Sequence, residues 1–548
     1  VEQNCKHKHF EKRNISSSFQ ILGIRSSRIN MGEQSTEKPS APGLRRNLSA
    51  SDLSEYETTD PRKYQIRKSK LIGLINWTHV LSTYYPYFFL TVVAAVTVQF
   101  GISLYENRNN VEELTHSLAP STSDAVFDLA WKFTLLAALL LIYLARRGQN
   151  VYLVDFACFE PPEDWKVNHE ELVQIMRAQR CFSDDSLKFM ERILARSATG
   201  QATAWPPGII RSLKDPSKVA DRSVEAARAE SETVIFGAVE EVLRKTKCDP
   251  KKIDFLVINC SLFSPTPSLC SMVVHKFGLR ASCLTYNLSG MGCSAGVISI
   301  DLAKRLMASK RNATCLVVST ENLTQNLYHG NEKNMLLQNT LFRVGGAAML
   351  LSNGRLAGWR AKFKLLCTVR TQGMGEDAYN AVFECEDKEG HHGVRLSKEI
   401  VMVAGRTMER NFTTLGPLVL PLSEQAKVVL SLVARFVTKK LKAAGLGVGV
   451  ARTYVPDFKR GIDHFCIHAG GRAVIEGIEK NMKLHDYHTE ASKATLRDYG
   501  NTSSSSIWYE LKYIEERMNL KRGQRVLQVA FGSGFKCNSC VWLSLKSR

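Results

Sequence analysis

Cys293 stands where a nucleophile could be made. It lies in Asn287-Leu-Ser-Gly-Met-Gly-Cys-Ser-Ala-Gly296, after an apolar, strand-like stretch (Leu284 to Leu288). An apolar helical pattern follows at once through Val297, Ile298, Ile300, Leu302 and Leu306. A thiol at a helix N-terminus meets unpaired N–H groups and the positive end of the helix dipole, which favour the nucleophilic thiolate. Gly290, Gly292 and Gly296 allow a sharp turn and close approach of a substrate. The plain alternative is a buried core cysteine.

A thiolate nucleophile needs a base and an orienting group. Asp463-His-Phe-Cys-Ile-His468-Ala-Gly-Gly-Arg reads as a short strand, two glycines and a helix from Arg472. His468 is therefore expected at a strand-to-helix turn, as Cys293 is. His464, four residues earlier, points to the same strand face. Either histidine could equally be a satisfied core or surface residue. Their spacing could also bind zinc on a helix, but no carboxylate ligand stands out. Gly500-Asn501-Thr-Ser-Ser-Ser-Ser opens a helix with Ile507, Leu511 and Ile514 on one side. Asn501 could present its amide to the site or simply cap that helix. Val526-Leu-Gln-Val-Ala-Phe-Gly-Ser-Gly534 is a strand ending in a loop with Gly532 and Gly534, able to present N–H groups to an oxyanion or to act as a turn.

These pieces sit in an alternating pattern. Ser223 to Lys247 reads as a helix; Ile253 to Cys260, Thr314 to Ser319 and Ala347 to Leu351 read as strands. From Val151 onward the alternation predicts an α/β layered protein. Residues 1–72 are polar and Ser-rich, expected as a disordered tail, with Met31 a second candidate start. Within 73–150, apolar stretches at about 80–105 and 126–144 are long enough for a bilayer core of roughly 30 Å. Arg62, Lys63, Arg67, Lys68 and Lys70 precede the first, and Arg146 and Arg147 follow the second. A transmembrane hairpin with both ends in the cytosol is expected. The net charge of +20 suits an anionic membrane face or phosphate-bearing ligands. No basic stripe interleaved with aromatics points to nucleic acid. The 14 cysteines form no framework, and Cys537-Asn-Ser-Cys540 lacks the second ligand pair of a zinc site.

Taken together these segments resemble the plant 3-ketoacyl-CoA synthases, condensing enzymes of very-long-chain fatty acid elongation. Further matching segments are Pro265-Thr-Pro-Ser-Leu, Val318-Ser-Thr-Glu-Asn, Phe342-Arg-Val-Gly-Gly-Ala-Ala, Thr414-Leu-Gly-Pro-Leu-Val-Leu-Pro and Gly532-Ser-Gly-Phe-Lys-Cys-Asn-Ser. The resemblance implies a thiolase-type fold of two similar α/β halves, residues 151–360 and 361–548. It implies a Cys293, His468, Asn501 set for decarboxylative condensation of malonyl-CoA with a long-chain acyl-CoA, with no other cofactor. Backbone N–H groups of Cys293 and Gly534 would form an oxyanion site. The endoplasmic reticulum membrane, with the catalytic part facing the cytosol, the reductases and dehydratase of an elongase complex, and a homodimer follow from it too. Two departures stand out: Gln372 and Arg497 occupy positions where family members commonly carry histidine. Together with His464 they are candidates for tuning the site from behind. Competing expectations are a catalytically silent regulatory subunit and an enzyme of the type III polyketide synthase kind.

Overall fold

In the computed structural model, the described residues are 150–548 except 355, 446–448 and 547–548, with eight helical positions between 92 and 140. The expected tail and nearly all of the expected hairpin lie outside them. No helix among the described residues is long and apolar enough to cross a membrane.

The described residues from 150 onward form one compact unit. Its main sheet has nine strands: β1 (Tyr152–Cys158), β2 (Phe255–Asn259), β3 (Leu284–Leu288), β4 (Thr314–Thr320), β5 (Gly346–Ser352), β6 (Phe363–Gln372), β7 (His464–Ile467), β8 (Arg525–Gly532) and β9 (Lys536–Ser544). The order is β7-β8-β9-β6-β1-β5-β4-β2-β3. The pairing repeats. From β1 outward, β5 and β4 join antiparallel, then β2 and β3 parallel. From β6 outward, β9 and β8 join antiparallel, then β7 parallel. The two series meet where β1 pairs β6 over a short stretch.

Strand periodicity sorts these residues into layers. On β2, Leu256 and Ile258 join one core with Ala227, Val234 and Ile235 of helix α1 (Val224–Thr246). The alternate residues Phe255 and Val257 join a central core. That core also holds Val297 and Ile300 of α2 (Ala295–Ala308), Trp508 and Leu511 of a later helix (Ser506–Arg517), and Val526 and Trp542 of the second series. A third core gathers Leu527 and Val529 against Val403 and Leu415 of α3 (Ile400–Val419). The two central helices are thus sandwiched between sheet halves, with α1 and α3 outside. Cys537 and Cys540, three apart on β9, fall in different cores and so on opposite faces; they cannot share a ligand.

Three further helices complete the frame used below: α4 (Leu422–Ala443), α5 (Arg472–Met482) and α6 (Asp486–Tyr499), so that Ser506–Arg517 is α7.

Candidate active site

A cavity of about 780 Å³ opens where the two series meet, and Cys293, His468 and Asn501 all line it. Gln372, Gly532 and Gly534 line it as well. Cys293, His468 and Asn501 arrive on three different connections: β3 to α2, β7 to α5, and α6 to α7.

The cysteine loop is held by backbone contact. Gly290 and Gly292 take left-handed φ values of 64° and 67°. A Cβ on Gly292 would stand 2.5 Å from the Ser533 nitrogen, and one on Gly532 would stand 2.5 Å from Ser294 Oγ. The glycines on both loops therefore let two backbones touch, which puts Cys293 beside the 532–534 loop.

Cys293 lies just outside α2, whose first residue is Ala295 and whose N-cap Ser294 makes no side-chain cap. The expected thiolate does not follow. Burial pushes the thiol up to about 11, outweighing the hydrogen bond from Ser503, and the nearby Glu321 adds to the rise. Desolvation of a charged sulfur thus exceeds the pull of the helix end. The resting nucleophile is a neutral thiol.

Its neighbour is Ser503, whose Oγ lies 3.4 Å from Cys293 Sγ and 3.1 Å from Glu321 Oε2. One hydroxyl proton cannot serve both acceptors. When Ser503 donates to the carboxylate, its oxygen is left to accept from the thiol. Glu321 is anchored by the backbone N–H groups of Ser261 (3.0 Å) and Leu262 (2.9 Å), which donate to Oε1. Sequence reading missed both residues. Glu321 sits in the matched Val318-Ser-Thr-Glu-Asn segment and Ser503 in the serine run, but nothing in either run marks a contact with a cysteine far away in the chain.

His468 ends β7 as expected. Its N–H donates to the Val529 carbonyl at 3.0 Å, and its own carbonyl accepts from Gly470 at 2.7 Å. The ring is buried, and burial pushes it down to about 4. It is therefore neutral at physiological pH, offering one N–H and one lone pair. Its Nδ1 has no partner among the described residues.

Asn501 does not cap α7, which starts at Ser506 after a short 3-10 turn. Its Oδ1 accepts from the Ser503 N–H at 2.9 Å, and its Nδ2 donates to Gly470 O at 3.3 Å. The amide oxygen is thus occupied, and the NH2 end is turned towards the histidine loop. Its backbone pairs with Leu341 and Arg343. Arg343 is itself buried, with Nε donating to Thr203 Oγ1 and Nη1 to the Thr340 and Phe342 carbonyls.

Two expected tuning residues do not reach the cavity. His464 shares a strand face with His468, but four residues of strand separate them by about 13 Å. Its Nε2 instead meets Gln524 Oε1 at 3.1 Å. Arg497 forks onto the adjacent Asp498 at 2.7 and 2.9 Å and lines a separate cavity with Glu160, Lys166 and Tyr499. It ends α6 on the outer side, so the helix carries the side chain away.

The rest of the main cavity wall is largely apolar, including Leu341, Phe342, Val382, Phe383, Leu396 and Ile400, with cationic Arg196, Arg472 and Lys536. A neutral thiol, a neutral imidazole and an amide in one apolar pocket suit chemistry on an uncharged thioester carbonyl.

Comparison with known proteins agrees. Residues 143–440 match the profile of the FAE1/Type III polyketide synthase-like proteins, and residues 459–543 that of the 3-oxoacyl-[acyl-carrier-protein (ACP)] synthase III C terminal. The chain is 50% identical to 3-ketoacyl-CoA synthase 9 of Arabidopsis thaliana over 407 residues, 74% of this chain and 77% of the relative. It is 45% identical to 3-ketoacyl-CoA synthase 11 of the same plant over 498 residues, 90% and 93% of the two chains. Among solved structures, the C-terminal Type III polyketide synthase domain of Steely1 from Dictyostelium has a TM-score of 0.56 at 18% identity, covering 72% of this chain and 99% of that one. A type III pentaketide synthase from Neurospora crassa gives 0.54 at 17%, again over 72% and 99%. The solved structures establish the thiolase-like fold, and the sequence relatives establish more: this chain belongs to the 3-ketoacyl-CoA synthase family.

Proposed function

We propose that Cys293, His468 and Asn501 carry out the condensing step of very-long-chain fatty acid elongation. The observation that carries this is their convergence on one apolar cavity from three separate connections. Cys293 Sγ attacks the carbonyl of a long-chain acyl-CoA, the bond to the CoA sulfur breaks, and the acyl group stays on the cysteine. The thiol proton ends on the departing CoA sulfur. A shuttle through neutral His468 therefore suffices, and no standing thiolate is needed. Malonyl-CoA then loses CO2 and leaves an enolate. The imidazole N–H and the Asn501 NH2 donate to that oxygen, where charge develops only as the reaction proceeds. The enolate carbon attacks the acyl-cysteine, the cysteine sulfur leaves as a thiolate that takes up one proton from solvent to restore the neutral thiol, and a 3-ketoacyl-CoA longer by a C2 unit departs. The N–H groups of Cys293 and Gly534 receive the carbonyl oxygen of the acyl-cysteine. No cofactor enters beyond the two CoA thioesters.

The apolar wall suits an acyl chain, and Arg196, Arg472 and Lys536 suit the CoA phosphates or the malonyl carboxylate. In this reading residues 73–150 anchor the protein in the endoplasmic reticulum membrane with its catalytic part in the cytosol. The two apolar stretches and their basic flanks support that. The match to synthase 11, longer than residues 151–548 can supply, supports it too. The anchor brings the site to the acyl-CoA pool, to the reductases and dehydratase that process the product, and to a second copy of the chain.

The test is elongation in yeast microsomes with labelled malonyl-CoA and acyl-CoA primers of increasing length, beside Cys293→Ala. Label in longer acyl chains, lost in the variant, upholds the proposal. Absence of extension from every primer by a properly inserted protein overturns it.

A further inference from the structure

Helix α4 is built inside out. It runs 22 residues, about 33 Å at 1.5 Å per residue. Glu424, Ser431 and Thr438 are spaced by sevens and so share one side. That polar side is the one facing the protein. Glu424 is fully buried and accepts from Tyr454 Oη at 2.8 Å and the Asp457 N–H at 3.1 Å. Ser431 Oγ accepts from the Tyr454 N–H, and Thr438 Oγ1 from the Ala451 N–H, both at 3.0 Å.

The opposite side is apolar and faces outward. Leu422, Val429, Leu430, Val433, Phe436 and Val437 recur at i, i+7, i+8, i+11, i+14 and i+15, one helical stripe. Leu422 is 81% exposed, Leu430 67% and Phe436 64%. An ordinary surface helix has the reverse arrangement. A stripe of this length exceeds the scattered exposed hydrophobics of a normal surface.

Charge indicates what covers it. The helix carries Lys427, Arg435, Lys439, Lys440 and Lys442 against Glu424 alone, and Glu424 is buried. Lys427 pairs with Glu424, and Arg435 donates to Thr453. Lys439, Lys440 and Lys442 close the helix with no ion-pair partner among the described residues. A second copy of the same helix would bring cations against cations. An anionic lipid surface satisfies both features: acyl chains receive the stripe, and headgroups receive the lysines, whose long stems let the ammonium groups reach out of the apolar zone.

We propose that α4 lies in the interface of an anionic bilayer as a second membrane contact of the catalytic unit. It extends the membrane reading given above, yet it is separable from the hairpin. It would hold the catalytic unit in one orientation against the bilayer rather than leave it swinging on its anchor.

The test uses the full chain in bilayers with and without phosphatidylserine. A photoreactive phenylalanine analogue replaces Val433 or Phe436 on the outer side, or Thr438 on the inner side. Lipid adducts at 433 and 436, several-fold above those at 438 and increased by phosphatidylserine, uphold the proposal. Charge reversal by Lys439→Glu, Lys440→Glu and Lys442→Glu together lowers those adducts several-fold without loss of folding. Adducts to protein instead of lipid, or equal lipid labelling at all three positions, overturn it. Alkaline carbonate extraction tests the hairpin alone. Release of the protein into the supernatant would defeat the anchor, while retention without lipid adducts at 433 and 436 would defeat only the α4 contact.

Discussion

The two strand series of this molecule share a backbone plan and divide the chemistry between them. In each, antiparallel pairings lead to a parallel one, and a central helix starts at the cavity. The first series puts Cys293 before its central helix, α2. The second puts Asn501 and the serine run before α7, and His468 on the end of β7. The end of β2, which occupies the place of β7 in the first series, carries Asn259 and Cys260 instead, and Cys260 bonds to Glu321. The first series also has β3 leading directly into the cysteine loop. Among the described residues the second has no such strand, and the backbone of Asn501 pairs with Phe342 in an isolated bridge instead. A duplicated frame therefore brings two helix starts face to face, and side chains alone make one a nucleophile and the other a set of donors.

The largest test of this division separates the two partial reactions. Cys293→Ala should abolish condensation, by at least about 1000-fold. It should leave malonyl-CoA decarboxylation measurable, since the enolate is held by the second series. Loss of both reactions together would merge the roles. His468→Ala and Asn501→Ala should each lower both reactions by about 100- to 1000-fold, the scale of losing one oxyanion donor. Burial holds His468 down to about 4, below its ordinary value. Falling pH must therefore reach that value before the ring charges, and the acid limb of the rate should sit nearer pH 4 than 6.5. Stability follows the same sign. The unfolded chain takes up the proton first as pH falls from 6.5, so stability drops across that window. His468→Asn should flatten that drop in a denaturant titration.

The seam between the series is tested next. Gly296 of α2 packs against Ser504, and a Cβ there would run into the Ser504 carbonyl oxygen. Gly296→Ala should lose about 1–3 kcal/mol of stability in thermal unfolding. Ser503→Ala removes the hydroxyl contact across the seam to the sulfur and should cost about 10-fold in acylation rate, the worth of one hydrogen bond. Arg497→Ala, on the outer side of α6, should change the rate by no more than about 2-fold, in keeping with surface substitutions. A large effect there would mean that the second cavity belongs to the site.

Much of this was legible in the chain because local rules govern it. Strand and helix positions follow periodicity: the helix expected from Ser223 runs Val224–Thr246 with Ser223 as its cap, and the strand expected at Thr314 is β4. Strand-end placement of His468 follows from an apolar run cut by glycines. Four things were not legible. Face sharing on a strand says nothing of distance, which misplaced His464. Dipole reasoning gives the sign of one effect on Cys293 but not the depth of its burial, which decides its charge. Contacts such as Ser503 to Cys293 join positions 210 apart and depend on how the series pack. The inverted helix α4 also escaped, because its pattern looks ordinary until the structure shows which side faces the protein.

The central claim is that Cys293 holds the acyl chain. It is tested most directly by incubating the protein with a long-chain acyl-CoA, without malonyl-CoA, and mapping the adduct by peptide mass spectrometry. The account predicts one acyl thioester on the peptide containing Cys293, discharged when malonyl-CoA is added and absent from Cys293→Ala. An acyl group on another cysteine, or turnover with no adduct at Cys293, would contradict it.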